Sequence, residues 1–526
     1  MNADVAAIVR DRGSSPLLER VSVAAPRAGE VLVRVLATGV CHTDLVAIDG
    51  GVGYPFPAVF GHEGSGIVEA VGEGVSRVRP GDRVVLSFAS CGACTTCREG
   101  HPAYCERFAA LNHRPESDAI VVAATGEPVS TAFMRQSSWA TRVIAHESNT
   151  VPVAGDVPAV VAAPLGCGVL TGAGTVLNVL APAPGSGILV LGSGAVGLSA
   201  VMAAKASGCR DIIAVDPLPA RRRLALDVGA TVAIPPELVA ETIATVGAVR
   251  HVLDTVGTQE STDAAIAALA PHGTIATVAL RPGSNRISVP QGRLLWGRTI
   301  RGVIEGDAVV ERDIPRLVDL WRAGALPVEK IVTVYPLDAI GQAIDDTRAG
   351  RTVKAVLLTP DGGEEAPGAA SPLALLDQLR ERRFGDDDLA RLWRTLPPVE
   401  PAQLRGRWRG WAVTRGHRAE RMLERSGWYG KHFHTDDDVD PIIVRTRDGD
   451  LVADESFSRG GASLWRVERD GVLTAAMVYD ALPIIDSFTR LSEDAVFGVM
   501  GGKGTADAGR DFYFVLERDA DGDPSP

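Results

Sequence analysis

Short runs of alternating apolar and polar residues fill positions 1 to about 155. Val31-Leu32-Val33-Arg34-Val35 and Asp82-Arg83-Val84-Val85-Leu86, each bounded by Gly, Pro or Asp, predict β-strands joined by tight turns. From about residue 170 the pattern changes. Ile188 to Leu191 predicts a buried strand, Ala195 to Ser207 a helix, Ile212 to Asp216 a strand, Arg221 to Val228 a helix and His251 to Asp254 a strand. Strands that alternate with helices imply βαβ units and a doubly wound parallel sheet. Residues 305–358 return to helix and strand that pack back on the first segment. The predicted organisation is therefore an α/β protein: a β-rich domain from 1–168 and 305–358, interrupted by a doubly wound domain over 169–304.

Between Val157 and Ala204 no residue is charged, yet prolines at 158, 164, 182 and 184 break the stretch. A spanning helix needs about 20 uninterrupted apolar residues, so this stretch reads as a buried interdomain segment entering a central strand. Thr359 to Pro372 (TPDGGEEAPGAASP) has almost nothing to bury and reads as a linker. Residues 373–526 then hold no cysteine and five of the eight tryptophans. That shift predicts a separate, small β-rich domain, opening with a helical stretch from Leu373 to Trp393.

With 526 residues, two to four cores are expected. A formal charge of −12 argues against a nucleic-acid face. Met1 to Gly13 shows no basic-apolar-cleavage pattern, so a cytoplasmic setting without membrane insertion is expected, and clustered cysteines are read as metal ligands before disulfides. Six of the seven cysteines then find a use. Cys91, Cys94, Cys97 and Cys105 follow C-x2-C-x2-C-x7-C, the dense spacing of a closed tetrahedral structural zinc. A C-x-x-C redox pair is the alternative, which the third and fourth thiols disfavour. Cys41, His62 and Cys167 form the second set, two thiolates and an imidazole that leave a fourth position open. Singly, each of these three is more often a buried thiol or core histidine; together they predict a catalytic zinc, with Asp44 orienting His62.

Cys41-His42-Thr43-Asp44, Gly61-His62-Glu63 with Gly66 and Gly72, and the segments CHTDLVAIDG, PAVFGHEGSGIVEAVG, RQSSWATRVIAHESNTV and PLGCG carry a resemblance. Residues 1 to about 358 resemble a zinc-dependent medium-chain alcohol dehydrogenase, and within that family the aryl-alcohol branch, which shades into dehydrogenases of allylic terpenoid alcohols. The resemblance implies a GroES-like catalytic domain with a Rossmann domain, two zinc ions, NAD, a small alcohol or aldehyde as partner and a dimer or tetramer. It implies that Thr43 starts the proton relay, that Glu63 approaches the metal, and that His42 and Lys354 contact the pyrophosphate. For Lys354 a solvated surface charge is the alternative. Many relatives end the relay with a histidine five residues after the first zinc ligand. Here Val46 stands at that place, as in the aryl branch.

Gly192-Ser193-Gly194-Ala195-Val196-Gly197 lies between a predicted strand and a predicted helix, and Asp216 ends the next strand. That is the dinucleotide pattern, with Asp216 on the ribose hydroxyls and NAD favoured over NADP. Arg221, which the resemblance places near the adenosine ribose, could offset the acid. A strand-end turn is the bland alternative for Asp216. For the substrate, Leu111-Asn112-His113, Trp139 and Trp296 are candidates to line an apolar cleft, with ordinary core as the alternative. The expected reaction is oxidation of a primary aryl or allylic alcohol to its aldehyde, and the reverse. The alternatives are a thiol-adduct formaldehyde dehydrogenase, or a dehydrogenase joined to a carrier of apolar ligands.

The last domain resembles the GXWXG/DUF4334-type proteins, through Gly406-Arg407-Trp408-Arg409-Gly410, Met477 to Asp480, Pro483 to Asp486 and Phe497 to Met500. A barrel that holds an apolar ligand and a barrel with an aromatic core are both open readings. His417, His432 and His434 have no metal-ligand spacing.

Overall fold

The computed structural model describes residues 4–362 and 384–519 apart from 114, 447 and 493, together with 376, 379 and 380. The chain divides into two compact units, Met1–Ala366 and Pro367–Pro526.

In the first unit, the strands Val5–Val9, Leu17–Val23, Glu116–Val122, Pro128–Thr131 and Ala58–Val59 close a small barrel. Beside it lies a seven-stranded sheet centred on Glu30–Gly39, which pairs with Gly64–Val71 on one side and Lys354–Leu358 on the other. The chain thus returns after some 300 residues to the sheet it began, with Val356 opposite Gly39. Between these visits it builds a six-stranded parallel sheet. Its spatial order is Val232–Ile234, Asp211–Val215, Gly187–Leu191, Val249–Asp254, Leu269–Thr277, Thr299–Gly302. That is the doubly wound order in which a dinucleotide binds where the strand order reverses. Ile188, Leu189 and Val190 are all fully buried, as a central strand covered by helices on both faces requires.

The uncharged stretch folds as Ala159–Ala162, Ala163–Gly166, Gly168–Gly174 and Thr175–Leu180, bent by 63° at Cys167, before the strand Gly187–Leu191. Among the described residues no single helix is long and apolar enough to cross a membrane.

The linker reading needs a correction at its start. Thr359 is buried, its Oγ1 donates to the Val35 carbonyl at 2.6 Å, and a Cβ on Gly362 would lie 1.8 Å from the Leu36 carbonyl oxygen. The chain through Gly362 therefore belongs to the first unit; residues 363–372 of the expected linker lie outside the described residues. Composition alone hides this, because the anchoring groups are a hydroxyl and backbone.

In the second unit eight antiparallel strands close a barrel: Gly406–Ala412, Phe512–Arg518, Ala495–Gly502, Ile484–Arg490, Val472–Tyr479, Ala462–Arg469, Val439–Arg445 and Trp428–Phe433, which pairs back to the first. Along Phe512–Arg518 the side chains alternate as the pleat demands. Phe512, Phe514 and Leu516 join Trp408, Phe433 and Phe488 in one cluster. Tyr513 and Val515 join Leu389, Leu392 and Trp393 of the helix Asp386–Thr395 in the other. The first part of the expected Leu373–Trp393 helix lies outside the described residues except for 376, 379 and 380.

Candidate active site

Two chain segments bring Cys41 and His62 together, and one carboxylate ties them. Cys41 caps the helix His42–Ile48, and the Asp44 side chain turns back to accept the Cys41 N–H at 2.9 Å. Its other oxygen accepts the Gly61 N–H at 3.1 Å and hydrogen-bonds His62 Nδ1 at 2.8 Å. Asp44 is fully buried, so this carboxylate holds both segments with three charge-assisted bonds. Gly61 has φ +88°, and a Cβ there would lie 2.4 Å from Trp139 Cδ1. Only glycine lets the chain pass that indole and deliver His62. Cys167 arrives at the bend between Ala163–Gly166 and Gly168–Gly174.

The ligand atoms of Cys41, His62 and Cys167 lie within 4.8 Å of one another. With Nδ1 committed to Asp44, His62 Nε2 is buried and has no hydrogen-bond partner among the described residues. A buried ring nitrogen left unpaired is costly, and here it stands beside two thiols: the donor set fits zinc. Cys41 is held well below the usual thiol range, chiefly by the Cys167 thiol, against the effect of burial, with help from the charges of Lys354 and His62. Cys167 is pushed well up by that same partner and by burial. Burial opposes charge on His62, but Asp44 overcomes it and raises the imidazole well above its ordinary value.

Glu63 is fully buried. Both its oxygens lie 2.8 Å from Lys354 Nζ, and Oε1 also accepts the Gly168 N–H at 3.0 Å. Burial raises the Glu63 carboxyl, with Lys354 opposing. Lys354 is 2% exposed, so the alternative of a solvated surface charge is wrong. The strand Lys354–Leu358 inserts beside Glu30–Gly39 and carries the ammonium inside. Thr43 Oγ1 lies 3.9 Å from Cys41 Sγ, His42 is exposed at the helix start and Val46 is half-buried.

Cys91, Cys94, Cys97 and Cys105 also bring their sulfurs within 4.8 Å. Backbone N–H groups of Cys94 and Arg107 point to Cys91 and Cys105 Sγ at 3.3 and 3.4 Å, the kind of donor that stabilises thiolates. These four sulfurs fit a closed zinc.

Residues 27–155 match the model of the alcohol dehydrogenase GroES-like domain and residues 195–322 that of the zinc-binding dehydrogenases. The geraniol dehydrogenase of Castellaniella defragrans is 41% identical over 363 residues, 67% of this chain and 97% of its own. The chain belongs to the zinc-dependent alcohol dehydrogenases. The crystal structure of benzyl alcohol dehydrogenase from Acinetobacter calcoaceticus is 40% identical and covers 68% of this chain and 100% of its own, with a TM-score of 0.65. That of a zinc-binding alcohol dehydrogenase domain protein from Burkholderia ambifaria is 43% identical over 68% of this chain and 99% of its own, with a TM-score of 0.67. Residues 391–449 match the GXWXG protein model and 460–518 a domain of unknown function, DUF4334.

Members of this family use zinc and a nicotinamide dinucleotide, NAD(P). In this dehydrogenase Gly192 has φ +89° and a Cβ on Gly197 would lie 1.9 Å from the Gly192 carbonyl oxygen, so the helix Ala195–Ala206 packs tightly on its strand. Gly194 is its N-cap and Val196 its second residue, half-buried. The N-terminal N–H groups there favour a pyrophosphate. Asp216 is buried at the strand end; one oxygen accepts the Ser193 N–H and the other the Leu218 N–H, each at 2.9 Å, while Arg221 Nη1 stands 3.9 Å away.

Reading residue types missed two side chains at this site. Gln136 donates to the His62 carbonyl at 2.9 Å and accepts the Gly64 N–H at 3.0 Å, clamping the backbone on both sides of Glu63, directly after the histidine. Glu305 places Oε1 3.6 Å from Cys167 Sγ, and burial pushes its carboxyl up to about 7. Its φ of 49°, with Gly306 and Asp307 also positive, marks a sharp corner. Of the pocket candidates, Trp139 and Asn112 are fully buried framework: the indole donates to the Gly39 carbonyl and the amide bonds both backbone groups of Ala89. Trp296 is 65% exposed. His113 stacks on Phe133, whose ring edge meets His62.

Asp44→Asn should weaken catalytic-zinc affinity about 10- to 100-fold, the usual effect of losing a carboxylate that orients a ligating histidine. A competitive chelator titration measures it, and unchanged affinity would mean that Asp44 serves folding alone.

Proposed function

We propose that this dehydrogenase interconverts a primary aryl or allylic, terpenoid-type alcohol and its aldehyde with NAD. Cys41, His62 and Cys167 would hold one zinc, and Cys91, Cys94, Cys97 and Cys105 a second, structural one. The carrying observation is the buried, unpaired His62 Nε2 beside two thiols, with Asp44 behind it. When bound, zinc supplies the Lewis acid that eases loss of the alcohol proton, and NAD the hydride acceptor. Thr43 takes that proton through its hydroxyl. Because Val46 offers no basic group, the exposed imidazole of His42 passes it outward. Gln136 and Asp44 keep His62 in place throughout. Lys354 neutralises Glu63, its Nζ bonding both Glu63 oxygens and the Val40 carbonyl; the turn from Gly192 to Gly197 would receive the pyrophosphate, with Lys354 adding positive charge from beneath. Asp216 supports NAD, because its carboxylate repels a 2′-phosphate; Arg221 makes only a long ion pair with it, at 3.9 Å, which offsets that charge weakly. The names of the geraniol and benzyl alcohol relatives support a bulky unsaturated alcohol. The enzyme works in the cytoplasm as a dimer or tetramer.

The test is formation of reduced nicotinamide with benzyl, cinnamyl, perillyl, geranyl and ethyl alcohols, each with NAD and with NADP. The bulky members should exceed ethanol in kcat/KM by roughly 100-fold or more, since each buried methylene contributes about 10- to 200-fold. Equal turnover of ethanol would remove the apolar pocket, and a preference for NADP would remove the role given to Asp216. No turnover in zinc-loaded protein would favour the thiol-adduct reaction.

A further inference from the structure

The barrel of the second unit is not filled by its aromatic core. A cavity of about 460 Å³ opens inside it, walled by Met422, Leu423, Trp428, Met500 and Phe514. It would take roughly 10 to 15 heavy atoms, counting about 30 Å³ for each water-sized group. At its floor sit three polar side chains, Lys431, Tyr479 and Asp486, each at most 6% exposed. They share the inward-facing parity of Phe433, Met477 and Phe488 on their strands.

A salt bridge buried among aromatic rings does little for stability, because desolvation offsets the attraction. Its hydrogen-bond accounting is informative. Lys431 Nζ has three N–H groups and three acceptors: Asp486 Oδ2 at 2.8 Å, the Pro441 carbonyl at 3.0 Å and Tyr479 Oη at 3.3 Å. Tyr479 Oη donates to Asp486 Oδ2 at 3.4 Å. Every donor is used. Asp486 is among the residues that line the cavity, and its Oδ1 is buried with no partner among the described residues. The group that completes the cluster donates a hydrogen bond, as a bound water or a ligand hydroxyl does. It must also be neutral, because Lys431 already balances Asp486 and an ammonium would be an unpaired buried charge. Arg418, Arg425 and Lys503 also line the cavity, but at Asp486 Oδ1 itself a carboxylate would meet like charge, and an aldehyde or ether has no proton to give.

We propose that the C-terminal barrel is a binding site for an apolar alcohol, whose hydroxyl donates to Asp486 Oδ1 while its hydrocarbon part fills the cavity beside Met422 and Phe514. The site stands apart from the dehydrogenase chemistry and does not rest on the reading of that reaction.

Calorimetry on the full zinc-loaded chain without NAD, using nonan-1-ol, methyl octyl ether and nonanoate, tests it. Wild type should bind nonan-1-ol at least tenfold more tightly than the ether, which has the same number of heavy atoms but no O–H. Met422→Trp, which fills the cavity and leaves the polar cluster intact, should lose one equivalent of bound alcohol while keeping full alcohol oxidation in the dehydrogenase assay. Asp486→Asn, whose amide can donate to an ether oxygen, should shrink the alcohol-to-ether ratio to about twofold. The proposal is overturned if wild type binds neither neutral probe, if the ether or nonanoate binds as tightly as the alcohol, or if Met422→Trp takes up the same number of equivalents.

Discussion

His62→Ala should lower turnover of the preferred alcohol by about four orders of magnitude and remove one of two zinc ions per chain. The size follows from the Lewis acid, which stabilises developing alkoxide charge by several kcal/mol, at about 1.4 kcal/mol per factor of ten. Beside two thiolates the imidazole would be the one neutral ligand of the set. Without it Asp44 loses the Nδ1 partner at 2.8 Å and stays buried with only the two backbone N–H groups. The cysteine lobe shares no ligand with this set and should keep its metal. Metal analysis of the purified variant beside its turnover decides the matter. A variant that retains two zinc ions and activity within tenfold of wild type would show that His62 is core packing.

The second large effect lies in the Glu63–Lys354 pair. Lys354→Met should destabilise the dehydrogenase unit by about 3–5 kcal/mol, the usual result of leaving a buried charge without its partner. Glu63 would keep one backbone donor, the Gly168 N–H, in a pocket from which water is excluded. Removing both charges is different. Lys354→Met combined with Glu63→Gln should regain at least half of the loss, since an apolar and a neutral side chain of similar size replace the ions. Urea unfolding of the three variants provides the double-mutant cycle. If the double variant is as unstable as the two singles summed, the pair is not coupled and Lys354 acts through packing of its aliphatic stem.

This pair also shows where reading the chain stops. Cys41, His62, Cys167 and the four-cysteine lobe were legible because metal chemistry demands particular residue types, most of them at short spacing. The Gly192–Gly197 turn was legible because a close helix–strand approach tolerates no side chain. Lys354 was not. Its neighbours in sequence are ordinary strand residues, and its burial depends on a strand pairing that brings it to Glu63 from 291 positions away. Gln136 reaches Gly64 across 72 positions and left no pattern of its own. Trp139 carried the wrong signal: an aromatic near a cleft proved to be the wall that makes Gly61 necessary. In the barrel, His432 and His434 have no ligand spacing along the chain. Yet strand pairing sets Asp440 opposite His432 and draws His432, His434 and Asp440 within 4.8 Å. Local motifs survive in one dimension; sites assembled by distant strands do not.

Asp44 has one more consequence, for the order of assembly. Because its carboxylate already bolts the Cys41 turn to the Gly61–His62 turn with protein bonds alone, the catalytic cradle stands before any ion arrives. The cysteine lobe is the reverse case: its helix Thr95–Arg98 buries no residue, so a metal held by its four sulfurs would contribute its binding energy to folding. With zinc at both sites, one chain would carry a docking berth that can be loaded, emptied and reloaded, and a rivet driven while the protein is being built.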